Sequence, residues 1–346
     1  MTTQPGSDLT PRQQAILMAV VGDYIETATP VPSKTVQEKY QVAASRATIR
    51  NEMAEMERRG YLGKPHTSAG RVPTESAYQL YVSRFTASPV RLSREQTWVH
   101  GELARCGPDL PSLLRTSARL LSELTEQAAL ASEPVPPAVA FRGFALTPIS
   151  ARALRVSFET ASSGRRELLW EVESPLRSEQ IQALSDAVGA VLCADGLASA
   201  EVAPLAASAN LPPEIVASLL SLLVAAEEQR VYVDGATRLF SCPEFRVESR
   251  LRELLSALNQ EGPPWALLRG ALRTPGTSIM IGSQLGPTRF LDCSLVAQTY
   301  RGPHSYPGAI AVLGPLRMSY HRAVAAVECV AREIGSLLQS EEEPEE

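Results

Sequence analysis

One predicted helix of this chain carries side chains that can hydrogen-bond to nucleic-acid bases. At 100° per residue, one arc of the helix from residue 46 to about 59 holds Ala47, Thr48, Arg50, Asn51, Ala54 and Arg58. The guanidinium of Arg50 and the carboxamide of Asn51 have paired groups that fit guanine and adenine edges in a major groove. Small residues on the same arc let the helix approach closely. This arc therefore predicts recognition of base pairs by hydrogen bonds and contacts. Ala47 and Thr48 are expected to allow close approach to the groove or to contact a thymine methyl.

The opposite side of this helix and its two ends predict how it is held. Ile49, Met53 and Met56 share the other face and are expected to pack against two preceding helices. Ser45 is a predicted N-cap, and Gly60 is a predicted end.

Two predicted helices come before it. Thr10, Pro11 and Gln13 form a capping-box pattern that starts the first helix. Ser33 is predicted to cap a second, short helix that runs to about Tyr40, and "QVAA" forms the turn that follows. Two short helices joined by about four residues are typical of a helix-turn-helix.

A basic hairpin is predicted directly after the third helix. "YLGKPH" and "RVPTE" have the pattern of two short strands around the turn "TSAG", where Gly70 tolerates positive φ. Thr74 then starts a helix whose Tyr78, Tyr81, Val82 and Phe85 face inward. The polar and basic residues predicted to contact the DNA backbone or the flanking minor groove are Ser45, Arg46, Arg58, Lys64, His66, Thr67, Ser68 and Arg71. Together these elements predict a winged helix-turn-helix over residues 1–90.

The distribution of charge agrees with a polyanionic partner for this part of the chain. The formal net charge of the whole chain is −5, whereas residues 30–72 hold eight lysine or arginine residues and four aspartate or glutamate residues. Residues 341–346, "EEEPEE", are expected to be a disordered acidic tail. Two alternatives stay open at this point. Arginines on a surface helix are often only a solvated face, and winged helices also serve as protein-docking modules.

Other classes of function find no support. The five cysteines and four histidines are scattered, without the spacing of a disulfide framework or a zinc site. No P-loop, G-x-G-x-x-G, H-E-x-x-H or G-x-S-x-G motif occurs, so we expect no catalytic residues, no metal and no cofactor. No apolar run reaches the ~18 residues of a membrane span, and the N-terminus lacks the layout of a signal peptide. We expect a cytoplasmic protein.

Several segments resemble the HrcA family of heat-inducible transcription repressors. Near the N-terminus these are "TPRQQAILMAVVGDYIETATPVPSKTV", "ATIRNEMAEMERRGYLGKPHTSAGRVPT" and "YQLYVSRF". Near the other end they are "IMIGSQLG", "DCSLVAQTY" and "GAIAVLGPLRMSYHRAVAAVECVA". The chain departs from the family's usual pattern at Pro32, Gln41, Arg46, around Ser283 and in "GPLRM".

The resemblance implies a homodimeric repressor that binds an inverted-repeat operator upstream of chaperone genes and is modulated by the GroE chaperonin. It also implies an α+β multidomain fold with a GAF-like α/β domain, expected over 91–175 and 246–340. A dimerisation domain inserted into it is expected over 176–245. Alternative functions are a small-molecule sensor, in which the GAF-like domain binds a metabolite, and a protein-docking winged-helix regulator.

The remaining sequence agrees with a mixed architecture. Residues 138–173 have the pattern of strands separated by turn residues, with alternation in "ALRVSFE", and a helix from about Ser178 to Cys193 follows. "LPPEIVASLLSLLVAAEEQRV", "VESRLRELLSALNQ" and "YHRAVAAVECVAREIGSLLQ" predict further helices. "TSIMIG", "FLDCSLVAQTY" and "GAIAVLG" predict strands.

Overall fold

The structure, a computed structural model, divides the chain into two compact units. One contains residues 1–133, 231–303 and 308–346, and the other contains residues 134–230 and 304–307. The structure describes residues 9–65, 70–84, 93–107, 109–135, 141–160, 164–195, 200–226, 230–245, 247–259, 262–272, 275–286 and 288–339.

Groups of helices and groups of strands follow one another along these ranges. The α-helices are α1 (Pro11–Thr27), α2 (Ser33–Tyr40), α3 (Arg46–Arg58), α4 (Glu75–Ser83), α5 (Ser93–Ala104), α6 (Leu110–Thr125), α7 (Ser178–Asp195), α8 (Val202–Ala209), α9 (Pro213–Ala226), α10 (Glu248–Leu258), α11 (Gly262–Leu272) and α12 (Tyr320–Gln339). The strands are β1 (Leu62–Gly63), β2 (Val72–Pro73), β3 (Ala128–Ser132), β4 (Phe141–Ser150), β5 (Ala153–Thr160), β6 (Gly164–Glu171), β7 (Val231–Asp234), β8 (Thr277–Ile281), β9 (Cys293–Arg301) and β10 (Pro307–Pro315). The protein is thus a mixed helix and sheet protein.

Capping residues define the starts of the first and third helices. The Thr10 side chain accepts a hydrogen bond from Gln13 N, and the Gln13 side chain accepts one from Thr10 N, which confirms the capping box. Ser45 caps α3 by accepting from Thr48 N at 3.1 Å. The predicted cap at Ser33 is wrong. Pro32 occupies the N-cap position in an extended conformation, so Ser33 is already the first helical residue.

The hairpin after α3 is a short antiparallel ladder. Leu62 pairs with Pro73 and Gly63 with Val72. Its tip, with His66, Thr67 and Ser68, lies outside the described residues, as does Phe85.

Gly70 lies beside this ladder and is not among the positive-φ glycines of the described residues, although glycine tolerates that conformation. Glycine is needed there for a different reason. A Cβ on Gly70 would lie 2.4 Å from the carbonyl carbon of Val31.

In the larger unit, one hydrophobic cluster joins the N-terminal helices to the body. Its five-stranded sheet has the order β7-β3-β10-β9-β8, and β3 is antiparallel to both of its neighbours. Buried residues of α1 to α4, such as Ile16, Met53 and Tyr78, belong to the same cluster as Val312 and Tyr320 of the body. The helices that precede residue 84 therefore pack on the body as part of one unit.

The smaller unit has a separate core. Strands β4, β5 and β6 form an antiparallel sheet, and α7, α8 and α9 contribute to the core beneath it. Ser185 on α7 accepts from Leu146 N at 3.1 Å, and Ser218 on α9 accepts from the Trp170 indole at 2.9 Å.

The span of this unit, 134–230, differs from the predicted insertion at 176–245. Alternation in β4 to β6 predicts strands, but it does not specify the sheet that they join.

Two kinds of feature are absent from the described ranges. Within them, no helix is long and apolar enough to cross a membrane. No group of histidine, cysteine, aspartate or glutamate side chains is arranged to hold a metal ion in these ranges.

Candidate nucleic-acid interface

Helix α3 has one buried face and one exposed face. Ile49, Met53 and Met56 are buried, as the sequence predicts. On the opposite arc Ala47, Arg50, Asn51 and Arg58 are exposed, and Thr48 and Ala54 are half-buried. The side chains with base-reading chemistry therefore share the surface that faces away from the core.

Polar contacts also hold α3 in place. Glu52 accepts from the Arg12 guanidinium at 2.6 and 3.0 Å and from the Gln13 side chain at 2.9 Å. Its side chain is largely buried between the two helices. A charged residue of α3 therefore fixes the helix on the first turn of α1, which hydrophobic periodicity does not reveal.

The N-terminal end of α3 is suited to an anion. The hydroxyls of Ser45 and Thr48 share a hydrogen bond of 2.8 Å, and no acidic side chain lies in the first turn. Helix N-termini carry partial positive charge and free backbone N–H groups, so they attract phosphate. Arg46, which is exposed at this end, adds a full positive charge.

The basic residues differ in whether they already have a partner. Within the described ranges no ion pair or hydrogen bond engages the side chains of Arg46, Arg50, Asn51 or Lys64. Arg58, in contrast, pairs with Glu55 one turn earlier.

Glu55 also accepts from Arg59 at 2.8 Å. Its hydrogen bonds from Arg59 and then Arg58 lower its pKa. It therefore stays ionised and neutralises part of the positive charge at the end of α3.

Arg71 is the predicted DNA contact whose placement differs most from expectation. Its guanidinium pairs with Glu57 of α3 at 2.8 Å, and only 15% of its side chain is exposed. Its backbone forms an isolated bridge with Val31, with N–H···O distances of 2.9 and 2.8 Å. Arg71 therefore joins the hairpin to α3 and to the segment before α2. Lys64 on the same hairpin is exposed, and its side chain has no ion-pair or hydrogen-bond partner among the described residues.

Thr74 fixes the base of the hairpin. Its hydroxyl donates to the carbonyl oxygens of Gly60 and Tyr61, at 2.7 and 2.9 Å. The end of α3 is thus tied to the start of α4. No sequence motif singles out this role of Thr74, or the positioning roles of Glu52 and Glu57.

Comparisons with known proteins agree with the resemblance carried by segments at both ends of the chain. Residues 111–324 match the family model "HrcA protein C terminal domain". The Symbiobacterium thermophilum protein named heat-inducible transcription repressor HrcA is 32% identical over 339 residues, which cover 94% of this chain and 98% of that protein. The Geobacter sulfurreducens protein of the same name is 29% identical, covering 97% of this chain and all of the relative.

A solved structure supports the same fold. The crystal structure titled as that of a hypothetical protein, at 22% identity, covers 96% of this chain and 99% of its own, with a TM-score of 0.55.

Proposed function

The chain belongs to the HrcA family of heat-inducible transcription repressors, and we propose that it represses by occupying an inverted-repeat operator as a homodimer. In this proposal α1 to α4 and the β1–β2 hairpin form a winged helix-turn-helix. The five-stranded sheet and its helices form a GAF-like domain, and the unit at 134–230 is the inserted dimerisation domain.

The observation that carries the proposal is the exposed arc of α3. Arg50 and Asn51 lie next to each other on this arc, with no partner among the described side chains. An exposed guanidinium and an exposed carboxamide on one helix face match guanine and adenine edges. Ala47 and Thr48 bring the helix axis near the groove floor.

Contacts to the DNA backbone come from the two ends of this surface. Ser45, Arg46 and the N-terminus of α3 lie at one end, and Arg58 lies at the other. Lys64 on the hairpin, together with His66, Thr67 and Ser68 of the adjoining segment, would contact the phosphates or the flanking minor groove. Arg71 acts indirectly, because its pairing with Glu57 holds the hairpin at its place beside α3.

Selection of one site in a genome requires two copies of this surface. One helix reads too few base pairs, whereas a twofold dimer reads an inverted repeat. The smaller unit supports an interface because Ile149 and Leu169, on β4 and β6, are 52% and 54% exposed. An apolar side chain on an otherwise polar sheet face suits contact with the same face of a second copy.

We further propose that the GroE chaperonin modulates the repressor. Chaperonins bind apolar surface, and the larger unit exposes Phe240 and Val247 at 61% and 56%. Heating that loosens this region would expose more of it. A sizing experiment with purified GroE tests the proposal. We expect a complex and recovery of operator binding after heating, and the absence of both would contradict it.

Footprinting tests the function itself. The purified protein is expected to protect an inverted repeat upstream of the organism's own chaperone genes, and an Arg50→Ala, Asn51→Ala variant is expected to lose that protection. Lack of protection by the unaltered protein on any such promoter would overturn the proposal.

A further inference from the structure

A hydrogen-bonded contact joins the start of α4 to the body of the larger unit. Glu75 Oε1 accepts from Ser283 N at 2.9 Å and from the Ser283 hydroxyl at 2.5 Å. Gln79, one turn later, donates to the same oxygen at 2.9 Å. The partners are 208 residues apart in sequence, so this contact is made only by the folded chain.

The backbone opposite Glu75 is shaped for this contact. Gly282 has φ +53°, and a Cβ there would lie 2.5 Å from Glu75 Cδ. Glycine at this position thus allows both the left-handed backbone conformation and the close approach of the Glu75 carboxylate. The 3-10 helix Gly282–Leu285 then presents Ser283 to Glu75.

A second contact lies further along α4. The rings of Tyr81 and Tyr320 have centroids 6.2 Å apart and are tilted by 46°. Tyr320 is itself fixed, because its hydroxyl donates to the Leu316 carbonyl at 2.6 Å and shares a hydrogen bond of 2.8 Å with Ser294. Two contacts about two turns apart prevent α4 from pivoting on the body.

The same end of α4 holds the base-reading helix. Thr74, the residue before Glu75, donates to the carbonyl oxygens of Gly60 and Tyr61, directly after α3. A continuous path therefore runs from the end of α3 through Thr74 and Glu75 to Ser283. Rotation of α3 against the body would therefore strain these hydrogen bonds.

We propose that Glu75 is a positioning residue that determines which spacing between operator half-sites the dimer accepts. The inference rests on the proposed function. Two reading helices on loosely tethered domains tolerate a range of spacings, because the tether mainly sets an effective concentration. Two clamped helices do not, since each added base pair rotates one half-site by about 35° and moves it by about 3.4 Å.

The experiment compares the affinity of full-length variants for a series of duplexes. The parent duplex carries the inverted repeat defined by footprinting, and the others add or remove one or two base pairs between its half-sites. A duplex with one half-site is also used. The variants are Glu75→Ala, Glu75→Gln, which keeps an acceptor oxygen, and Ser283→Ala, which removes one donor. Glu38→Gln removes an exposed carboxylate of the same winged helix as a matched charge control.

We expect the wild-type protein to lose about tenfold or more in affinity when the spacing changes by two base pairs, because the DNA must twist or bend to compensate. Glu75→Ala is expected to lose less than about threefold over the same series, while its affinity for the single half-site equals that of the wild type. Ser283→Ala should lie between the two. Glu75→Gln and Glu38→Gln should keep the wild-type profile.

Two results are distinguished by this design. If the wild-type protein prefers one spacing sharply and both Glu75→Ala and Ser283→Ala keep that preference, the positioning role is overturned. The proposed function is then left intact. A wild-type protein that binds neither the repeat nor the half-site would overturn the proposed function, and the spacing inference with it.

Discussion

The guanidinium of Arg71 lies 2.8 Å from the carboxylate of Glu57, and this ion pair joins the hairpin to α3. The pairing explains why a basic residue at the root of the hairpin is largely buried while Lys64 is exposed. Because Arg71 already has an anionic partner, its side chain is expected to orient the hairpin and not to neutralise a phosphate.

Substitution of Arg71 tests this division of roles. Arg71→Ala is expected to lower the free energy of unfolding by about 1 kcal/mol, since a partly shielded ion pair is lost. It should leave the dependence of DNA affinity on salt unchanged. Lys64→Ala is the matched control. It is expected to leave stability within about 0.5 kcal/mol but to reduce the magnitude of the dimer's salt slope by about 2, because one phosphate contact is lost in each subunit. A smaller salt slope in Arg71→Ala without a loss of stability would show that Arg71 contacts a phosphate instead.

Asn51 tests direct reading of a base. Its exposed carboxamide has no partner in the described part of the chain, so Asn51→Ala should fold normally. We expect a loss of about 1–3 kcal/mol that is confined to one base pair in each half-site. Binding to a series of operators, each with one base pair changed, measures this. An equal loss on every duplex, including a scrambled one, would show that Asn51 does not read sequence.

Gly70 tests the close approach of the hairpin to the segment before α2. In Gly70→Ala the new Cβ would lie 2.4 Å from the Val31 carbonyl carbon and 2.7 Å from that of Pro30, both of which are backbone atoms. Movement of the hairpin is expected to cost about 1–3 kcal/mol of stability. Gly101→Ala in α5 is the control, because it meets open space within a helix and should stabilise by about 0.5–1 kcal/mol. Denaturant unfolding of both variants decides the matter, and equal stability would contradict the contact.

Leu169 tests the proposed dimer surface. It lies on β6 opposite Arg155 of β5, and its side chain is 54% exposed. Leu169→Arg should therefore fold, yet place like charges at the twofold contact and yield a monomer that no longer binds the inverted repeat tightly.

Light scattering after size exclusion measures the mass of each variant. Leu291→Arg, at an exposed apolar position of the larger unit, should leave the dimer intact. A Leu169→Arg protein that stays dimeric would move the interface elsewhere.

Local patterns were sufficient to predict helix α3. The helical spacing of Ile49, Met53 and Met56 identifies its buried face. The caps at Thr10 and Ser45 each involve residues no more than three positions away. The Ser33 cap is wrong because Pro32 takes the position in front of it.

Contacts that depend on distant residues could not be predicted in this way. The backbone of Val31 leaves room only for glycine at position 70, and Glu57 determines where the Arg71 guanidinium lies. Glu75 is held by Ser283, 208 residues further along the sequence. The borders of the smaller unit depend on which strands pair, and alternation alone does not encode that pairing. The strand β3, which lies between β7 and β10 in its sheet, has the short sequence AALAS, which carries no clear strand pattern.

The most direct test of the account is the affinity of the purified protein for the inverted repeat and for a scrambled duplex over a range of salt concentrations. If each subunit neutralises about four phosphates, the log–log slope for the repeat should be about −7, and the repeat should bind more tightly than the scrambled duplex at every salt concentration. A slope near zero, or equal affinity for the two duplexes, would contradict reading of DNA by the exposed face of α3.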